Sequence, residues 1–428
     1  MARKMKDSGI EWIGEIPEGW KISKVSYFYE VQLGKMLQPQ KKSETDTEEK
    51  YLCAANVGKN SLSLDTLKTM WFSQTEEHQF DLKEGDLLVV EGGDVASCAI
   101  IETPVRNLFF QNALHRVRPL HNESVAFLRY WLMTAKSYGY IDLICNKATI
   151  AHFSKEKFIA LPIPVIPQDI QSKIVSFLDL ECKQIDDLLS KSRSSIEEYK
   201  KLKQAVITQA VTKGVRGERE MKDSGVEWVG EINHRFSLIK LKYICSILDQ
   251  YRKPISADKR SQSGSVLYDY YGASGAIDKI DNYTIDDHVM LIGEDGANLR
   301  MRNLPLMYEV NGKAWINNHA HILKPTERVD FYYLFYALEE LDINPYITGS
   351  AQPKLSQEKL QNIWVPLPDL EEQQEIATYI RSKCAEIDKL IAKKEQLIKE
   401  LESYKKSLIY EVVTGLSLIH ISEPTRRS

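Results

Sequence analysis

Histidines, an acidic turn and several amide-rich strings are the residues of this 428-residue chain whose types and spacing could do chemistry. His319 and His321 in NNHAH lie two apart, so on one strand they would share a face, as metal ligands do. No Cys or carboxylate cluster stands at a useful spacing beside them, which favours a structural or nucleic-acid contact. Glu294 and Asp295 in GEDG could offer a carboxylate pair, but a lone acidic turn next to glycine reads as a β-turn. Walker A, HExxH and glycine-rich dinucleotide patterns are absent, so neither catalysis nor a metal or cofactor site is expected in this chain.

What remains is hydrogen-bonding chemistry. The first half carries AANVGKN (54–60), QNALHRVRP (111–119) and NKATIAHF (146–153); the second carries YGASG (271–275), GANLRMRN (296–303) and GKAWINNHAHILKP (312–325). Arginine suits guanine, asparagine and glutamine suit adenine, and lysine or serine suits phosphate. The candidate DNA contacts are Asn56, Lys59, Gln111, Asn112, Arg116, Arg118 and Lys147 in the first half. In the second they are Asn298, Arg300, Arg302, Lys313, Asn317, Asn318 and His319. Asn344-Pro345-Tyr346 has part of a motif used to hold a flipped adenine, but it lacks the second proline and any cofactor-binding half, and reads as a loop after a helix.

Such groups need elements to position them, and the chain repeats itself. MKDSGIEWIGEIP (5–17) returns as MKDSGVEWVGEIN (221–233), identical at ten of thirteen positions. LPIP (161–164) and VPLP (365–368) each introduce a long charged segment in which a Cys precedes an IDxL pattern (Cys182, Cys384) and a Tyr-Lys-Lys follows. Tag, variable block and helix therefore occur twice. In the first segment residues 175, 178, 182, 185, 189, 192, 196, 199, 203, 206 and 210 step by threes and fours. In the second, 376, 380, 383, 387, 390, 394, 397, 401, 404 and 408 do the same. That spacing predicts coiled-coil seams through Leu178, Ile185, Leu189, Ile196 and Tyr199, and through Ile380, Ile387, Leu390, Leu397, Leu401 and Tyr404. Two helices of about 45 residues, roughly 65 Å each, would leave long apolar stripes in water unless they paired antiparallel or each packed on its own globular block, and their matched length and seam favour the pairing. Gly214 and Gly415 stand where a left-handed cap is wanted. The blocks between read as strands and turns with one helix each, near 127–141 and 331–341.

The fold class expected is mixed α+β: two globular α/β domains separated by two long helices that form an antiparallel coiled coil. The expected boundaries are 1–160, helix 161–214, 215–364, helix 365–415, and a tail 416–428 that reads as a translated adapter or cloning scar. Lys+Arg total 56 against 60 Asp+Glu, a net charge of −4, so any grip on nucleic acid must be local. No run approaches a membrane span or a signal peptide, and six cysteines without a CxxC pair suggest reduced thiols in a cytoplasm. Replacing Pro17 by Asn233 in the second tag is expected to loosen that turn.

Taken in order, the tags, VVEGGDVASCAI, QNALHRVRP, YGASG, LIGEDGANL, NNHAHILKP, GSAQPKLSQEKL and the proline-led helix starts resemble the DNA-specificity subunit of type I restriction–modification systems. The resemblance covers residues 5–415, nearly the whole chain. It implies that each recognition domain reads one half of a split double-stranded DNA target, while the helices set the gap. It further implies two methylation subunits on the helices and motor–nuclease subunits beyond them, with S-adenosylmethionine, ATP and Mg belonging to those partners. The two blocks share little sequence, which implies an asymmetric target.

Overall fold

The computed structural model describes residues 4–58, 61–145, 151–217, 220–227, 229–256, 260 and 266–417. The chain is mixed α/β and divides into two compact units, residues 1–192 with 396–428, and residues 193–395. Each unit holds a tag, a strand block and part of both long helices, where the sequence reading had set the helices apart as separate segments. No described helix is long and apolar enough to cross a membrane.

The long helices run Gln168–Lys213 and Leu370–Val413. Prolines 164 and 167, and 366 and 368, keep the preceding residues extended, and Gly214 (φ +80°) and Gly415 (φ +76°) end the helices in the left-handed conformation. In the first helix every expected seam position is buried or half-buried. In the second the phase is corrected: Leu390, Leu397 and Tyr404 are exposed, while Ile391, Ile398 and Lys405 take the inward positions. Adjacent apolar pairs (Leu390-Ile391, Leu397-Ile398) satisfy the three-four spacing in either phase, and packing chooses between them. Inside the second unit the helices run antiparallel, with Lys203 on Asp388 at 2.8 Å and Arg216 on Glu375 at 2.5 Å. Inside the first, Lys405 meets Asp186 at 2.6 Å.

Both tags fold as the same hairpin, Met5–Asp7 with Glu15–Pro17 and Met221–Asp223 with Glu231–Asn233. Each turn is held by an aspartate, Asp7 accepting from the Gly9 amide and Asp223 from Gly225, both at 2.9 Å. Tag and helix end lock together in each unit. Tyr410 donates to the Ile13 carbonyl at 2.9 Å in the first unit, where a Cβ on Gly415 would strike Pro17 and Trp20. In the second unit Asn233 is fully buried and donates to the Lys213 carbonyl at 2.8 Å, so this turn is fastened to the helix end by its asparagine and is not looser.

The first unit has a four-stranded sheet in the order Tyr29–Leu33, Leu114–Pro119, Leu87–Val90, Cys98–Ile100, and a three-stranded sheet in the order Lys68–Phe72, Thr47–Leu52, Leu108–Phe110. The second has one six-stranded sheet in the order Cys245–Ile247, Ala320–Pro325, Ile285–Gly293, Met307–Ile316, Tyr268–Gly272, Gly275–Ile280. One amphipathic helix backs the four-stranded sheet, Val125–Ser137, and one the six-stranded sheet, Phe331–Glu340. Phe127, Leu128 and Trp131 pack between Leu87, Val89 and Val117 and the helix residues Leu178, Ile185 and Val412. Tyr333, Leu334 and Leu338 pack likewise with Met290, Ile292, Leu323, Ile207 and Ile380. Each fully buried side chain of this size contributes about 1.5–3 kcal/mol, so these layers fix where the sheet ends lie.

Candidate nucleic-acid interface

Aligning QNALHRVRP with NNHAHILKP places His115 on His321, and aligning HFSKEKF with KLSQEKL places Phe153 on Leu355. The structure gives both pairs the same contact. His115 is fully buried on the strand Leu114–Pro119, and its Nε2 donates to the Phe153 carbonyl at 2.7 Å. His321, 1% exposed, donates through Nε2 to the Leu355 carbonyl at 2.8 Å. Around each histidine the backbone closes identically. The Glu91 amide donates to the Ala113 carbonyl at 2.9 Å and Phe153 to Glu91 at 2.7 Å; Glu294 donates to His319 at 2.8 Å and Leu355 to Glu294 at 2.7 Å. The glutamates then pair with the residue before the held one, Glu91 with His152 and Glu294 with Lys354, both at 3.1 Å. Each unit thus gathers at one sheet end a buried imidazole, an acidic residue, a basic or imidazole group and an amide pair.

The two sites differ in electrostatics. Burial pushes the His115 imidazole below its usual range, and among the described residues its Nδ1 has no partner, as a neutral ring bonded on one side requires. His321 also donates through Nδ1 to Asp249 at 2.6 Å. Asp249 pairs with Arg252 at 3.0 Å, which reaches Glu294 at 2.5 Å. Burial acts to raise the Glu294 pKa, but bonds from Arg252 and Lys354 prevail and hold it below the usual carboxylate range. Beside the ring the first unit has the Glu91–His152 pair, where the second has a network of Asp249, Arg252, Glu294 and Lys354.

Several sequence candidates fall at these sites. Gln111 and Asn112 are half-buried at the turn before the His115 strand; Asn318 and His319 are exposed at the matching turn, with His319 on Asp295 at 2.7 Å. Asn317 is buried and accepts from the His319 amide at 2.7 Å, so it shapes this turn. His319 and His321 do not share a face as ligands: the strand begins at Ala320, and the second ring is buried against Asp249.

Other candidates are spent on the fold. Asn56 is buried, bonded to Cys53, Ser63 and Thr66. Arg116 is buried against the Asp81 carbonyl at 2.7 Å, and Arg118 forks onto Asp86 at 2.6 and 2.8 Å. A guanidinium neutralised this way has few donors left for a base, which corrects both assignments. Asn298 holds the turn at Leu304 and Pro305, and left-handed Arg302 caps the helix Phe331–Glu340 through the carbonyls of Glu339 and Leu341. Arg300 is exposed and steadies the Ile347 and Gly349 carbonyls, while Lys313 lies 4.7 Å over the Tyr283 ring. Lys59 and Lys147 lie outside the described residues.

Among the described residues no group of three His, Cys, Asp or Glu is placed to hold a metal. Asn344-Pro345-Tyr346 is a single 3₁₀ turn with Tyr346 buried. Neither His115 nor His321 is among the DNA contacts expected from sequence, where His321 is weighed only beside His319; the two aligned strings carry the signal for the pair.

A family model described as the type I restriction modification DNA specificity domain matches residues 17–198 and 234–403. A putative type I restriction enzyme MjaX specificity subunit of Methanocaldococcus jannaschii is 24% identical over 94% of this chain and 95% of its own length. A putative specificity subunit of Haemophilus influenzae, S.HindORF215P, is 32% identical over 37% of each chain, and the MjaVIII subunit of M. jannaschii is matched over 64% of its length. Among solved structures, a chain described under complex assembly and conformational transition of the type I R-M system aligns with TM-score 0.73 at 13% identity, covering 93% of this chain and 98% of that one. The HsdS subunit of Thermoanaerobacter tengcongensis aligns with TM-score 0.52 at 14% identity, covering 94% and 98%.

Proposed function

The chain belongs to the type I restriction–modification DNA specificity family, and from that premise we propose that each unit reads one half of a bipartite, asymmetric DNA target. The observation that carries this reading is the site built twice. The same backbone closure appears around His115 and His321, yet the polar groups beside it differ: half-buried Gln111 and Asn112 with exposed His152, against exposed Asn318, His319 and Lys354. One frame with two sets of donors and acceptors suits two different half-sites. Linking two readers in one chain raises the effective concentration of the second once the first is bound.

In this reading the paired helices set the unread gap and dock two methylation subunits. Supporting the pair of docks, a recess lined by Arg129, Asp179, Cys182 and Asp186 in the first unit is matched by one lined by Tyr336, Arg381, Cys384 and Asp388 in the second. Leu180 and Leu188 beside the first, and Tyr379 and Leu390 beside the second, are exposed apolar residues open to a partner. Methyl transfer with S-adenosylmethionine, and ATP- and Mg-driven cleavage by motor–nuclease subunits, fall to those partners.

Mapping N6-methyladenine across the genome of cells carrying the chain and its partners tests the proposal. The expected result is one gapped, asymmetric motif; an ungapped or palindromic motif would overturn it. A matched four-residue insertion in both helices, about 6 Å, should lengthen the gap by one to two base pairs at roughly 3.4 Å each and leave both half-sites unchanged. The mass of the assembled complex should correspond to two methylation subunits per chain.

A further inference from the structure

We propose that His115 and His321 are positioning residues for sequence reading, each governing one half-site and only one. The inference rests on the proposed reading of the two units and extends it to residues that are buried and would not touch DNA.

The histidines occupy positions that packing alone would fill with an apolar side chain. His115 packs against the Phe153 and Phe158 rings on the strand face that carries Val117, and His321 pairs with Ile292 across the sheet on the face that carries Leu323. A polar ring buried there is favourable only if its hydrogen bond is made. In both units the partner is the backbone carbonyl of the residue before the N-cap serine, Ser154 or Ser356, of a short helix, Lys155–Ile159 or Gln357–Gln361. Nearly everything else around the two rings has changed. Leu33 is replaced by Asp249, Val89 by Ile292, Arg116 by Ile322, Phe153 by Leu355 and His152 by Lys354. The imidazole, its carbonyl and the neighbouring Glu91 or Glu294 persist.

The bond joins two segments far apart in sequence. On one side is the strand whose preceding turn offers Gln111–Asn112 or Asn318–His319; on the other is the segment whose next residue back is the exposed His152 or Lys354. With the bond made, amide turn and basic group keep one spacing, which is what reading adjacent bases demands, since discrimination is lost when donors drift from the base edge. With it broken, the first segment keeps the Phe153 amide bond to Glu91, the Glu91–His152 pair and the Lys157 bond to the His152 carbonyl. The second, tied also by two backbone bonds between Lys354 and Thr348 and by the Gly296 bond to the Pro353 carbonyl, is held more firmly.

The units differ in a way that sharpens the test. Among the described residues His115 bonds through Nε2 and its Nδ1 has no partner, whereas His321 bonds through both nitrogens. Glutamine places an amide N–H near the Nε2 position and nothing at Nδ1. Replacement by glutamine should therefore succeed at 115 and succeed only in part at 321, where Asp249 loses a donor.

The experiment uses the full chain assembled with its methylation partners, after its motif has been mapped. Methylation rates are measured on the cognate DNA, on DNA altered in one half-site or the other, and on unrelated DNA. Wild-type complex with no gapped motif overturns the half-site reading and this inference with it. Given a motif, His115→Leu should lose about tenfold or more of its discrimination at one half-site, keep it at the other, and leave binding to unrelated DNA unchanged. His321→Leu should do the converse. His115→Gln should restore discrimination, and His321→Gln should restore it partly. Leucine variants that discriminate as wild type at both half-sites, or that weaken on all DNA alike with a lowered melting temperature, would show the rings to be core packing and overturn the inference. Were the leucine variants not to fold, the glutamine pair decides: 115 relaxed and 321 intact would refute it.

Discussion

The second unit runs one ten-residue strand, Met307–Ile316, where the first has two three-residue pieces, Cys98–Ile100 and Leu108–Phe110. The long strand pairs antiparallel with Ile285–Gly293 and parallel with Tyr268–Gly272, and so holds six strands together. In the first unit the two roles fall to different pieces: Cys98–Ile100 pairs with Leu87–Val90, and Leu108–Phe110 with Thr47–Leu52. Pro104 removes a ladder donor and Asn107 turns left-handed (φ +50°) between the pieces, so the sheet splits. The tag hairpin, the helix cap and the histidine bond survive the split unchanged. These fixed points hold the sheet end in place, and the rest of the block differs between the units.

Where the blocks diverge, close backbone approach moves too, and this should produce the largest effect. A Cβ on Gly34 would lie 2.3 Å from the Gln111 carbonyl oxygen, beside the first unit's amide turn. The matching residue of the second unit is Gln250, in a 3₁₀ turn, and the close approach there is instead Gly293 against the Ala273 carbonyl, at 2.7 Å. Gly34→Ala should cost about 3 kcal/mol or more and Gly293→Ala less, because backbone must move to relieve either clash. Urea unfolding of the full chain measures both; a cost below about 1 kcal/mol for Gly34→Ala would mean the split sheet leaves that corner slack.

A second contrast concerns the helix that backs each sheet. Trp131 Nε1 donates to the Pro162 carbonyl at 2.7 Å, and Tyr333 does the same through its hydroxyl to Pro366 at 2.6 Å. Both carbonyls belong to the strand that leads into a long helix. Trp131→Phe removes donor and volume together and should cost about 2–3 kcal/mol; Tyr333→Phe removes the donor alone and should cost about 1–2. Equal losses in thermal unfolding would show that volume does not matter at this joint.

Much of this frame is legible in sequence, because repetition and helical period leave strong signals. The seam of the first helix follows from its own spacing. The phase of the second does not, since Leu390-Ile391 and Leu397-Ile398 fit both choices and the decision rests on a partner far along the chain. Lys405 shows why: its stem lies inward while its ammonium meets Asp186, and sequence alone reads a lysine there as outward. Arg116 and Arg118 fail for a related reason. An arginine aimed at guanine and one locked to Asp81 or Asp86 look alike until the acid is located.

Acidity offers a third contrast, specific to the second unit. Burial, reinforced by the neighbouring Glu339 charge, pushes Glu340 from 4.5 up to about 7. Folded protein then keeps a proton that unfolded chain has released, so stability falls as pH rises from 4.5 to 7 and stays lower above. Glu340→Gln should be more stable than wild type at pH 8, by about 1 kcal/mol once solvent screening is allowed for, and indistinguishable at pH 4.5. Melting curves at both values check the sign. A variant gaining at pH 4.5 instead would place the strain outside this carboxyl.

The smallest effect expected comes from the matched ion pairs across the helices, Lys405–Asp186 in the first unit and Lys203–Asp388 in the second. Both acids are 55% exposed, so the Coulomb part is small in each and screened by salt. The lysines differ: the Lys405 side chain is 16% exposed and Lys203 34%, so more of the Lys405 stem is packed. Lys405→Ala should cost about 1 kcal/mol and Lys203→Ala about half that. Lys405→Met, which keeps the stem and drops the charge, should recover most of the loss. Raising salt to about 1 M should shrink the Lys203→Ala effect towards zero but leave most of the Lys405→Ala effect, because packing is not screened. If salt abolished both alike, the two lysines would be surface charges of one kind, and the seams of the two units would not differ in packing at this point.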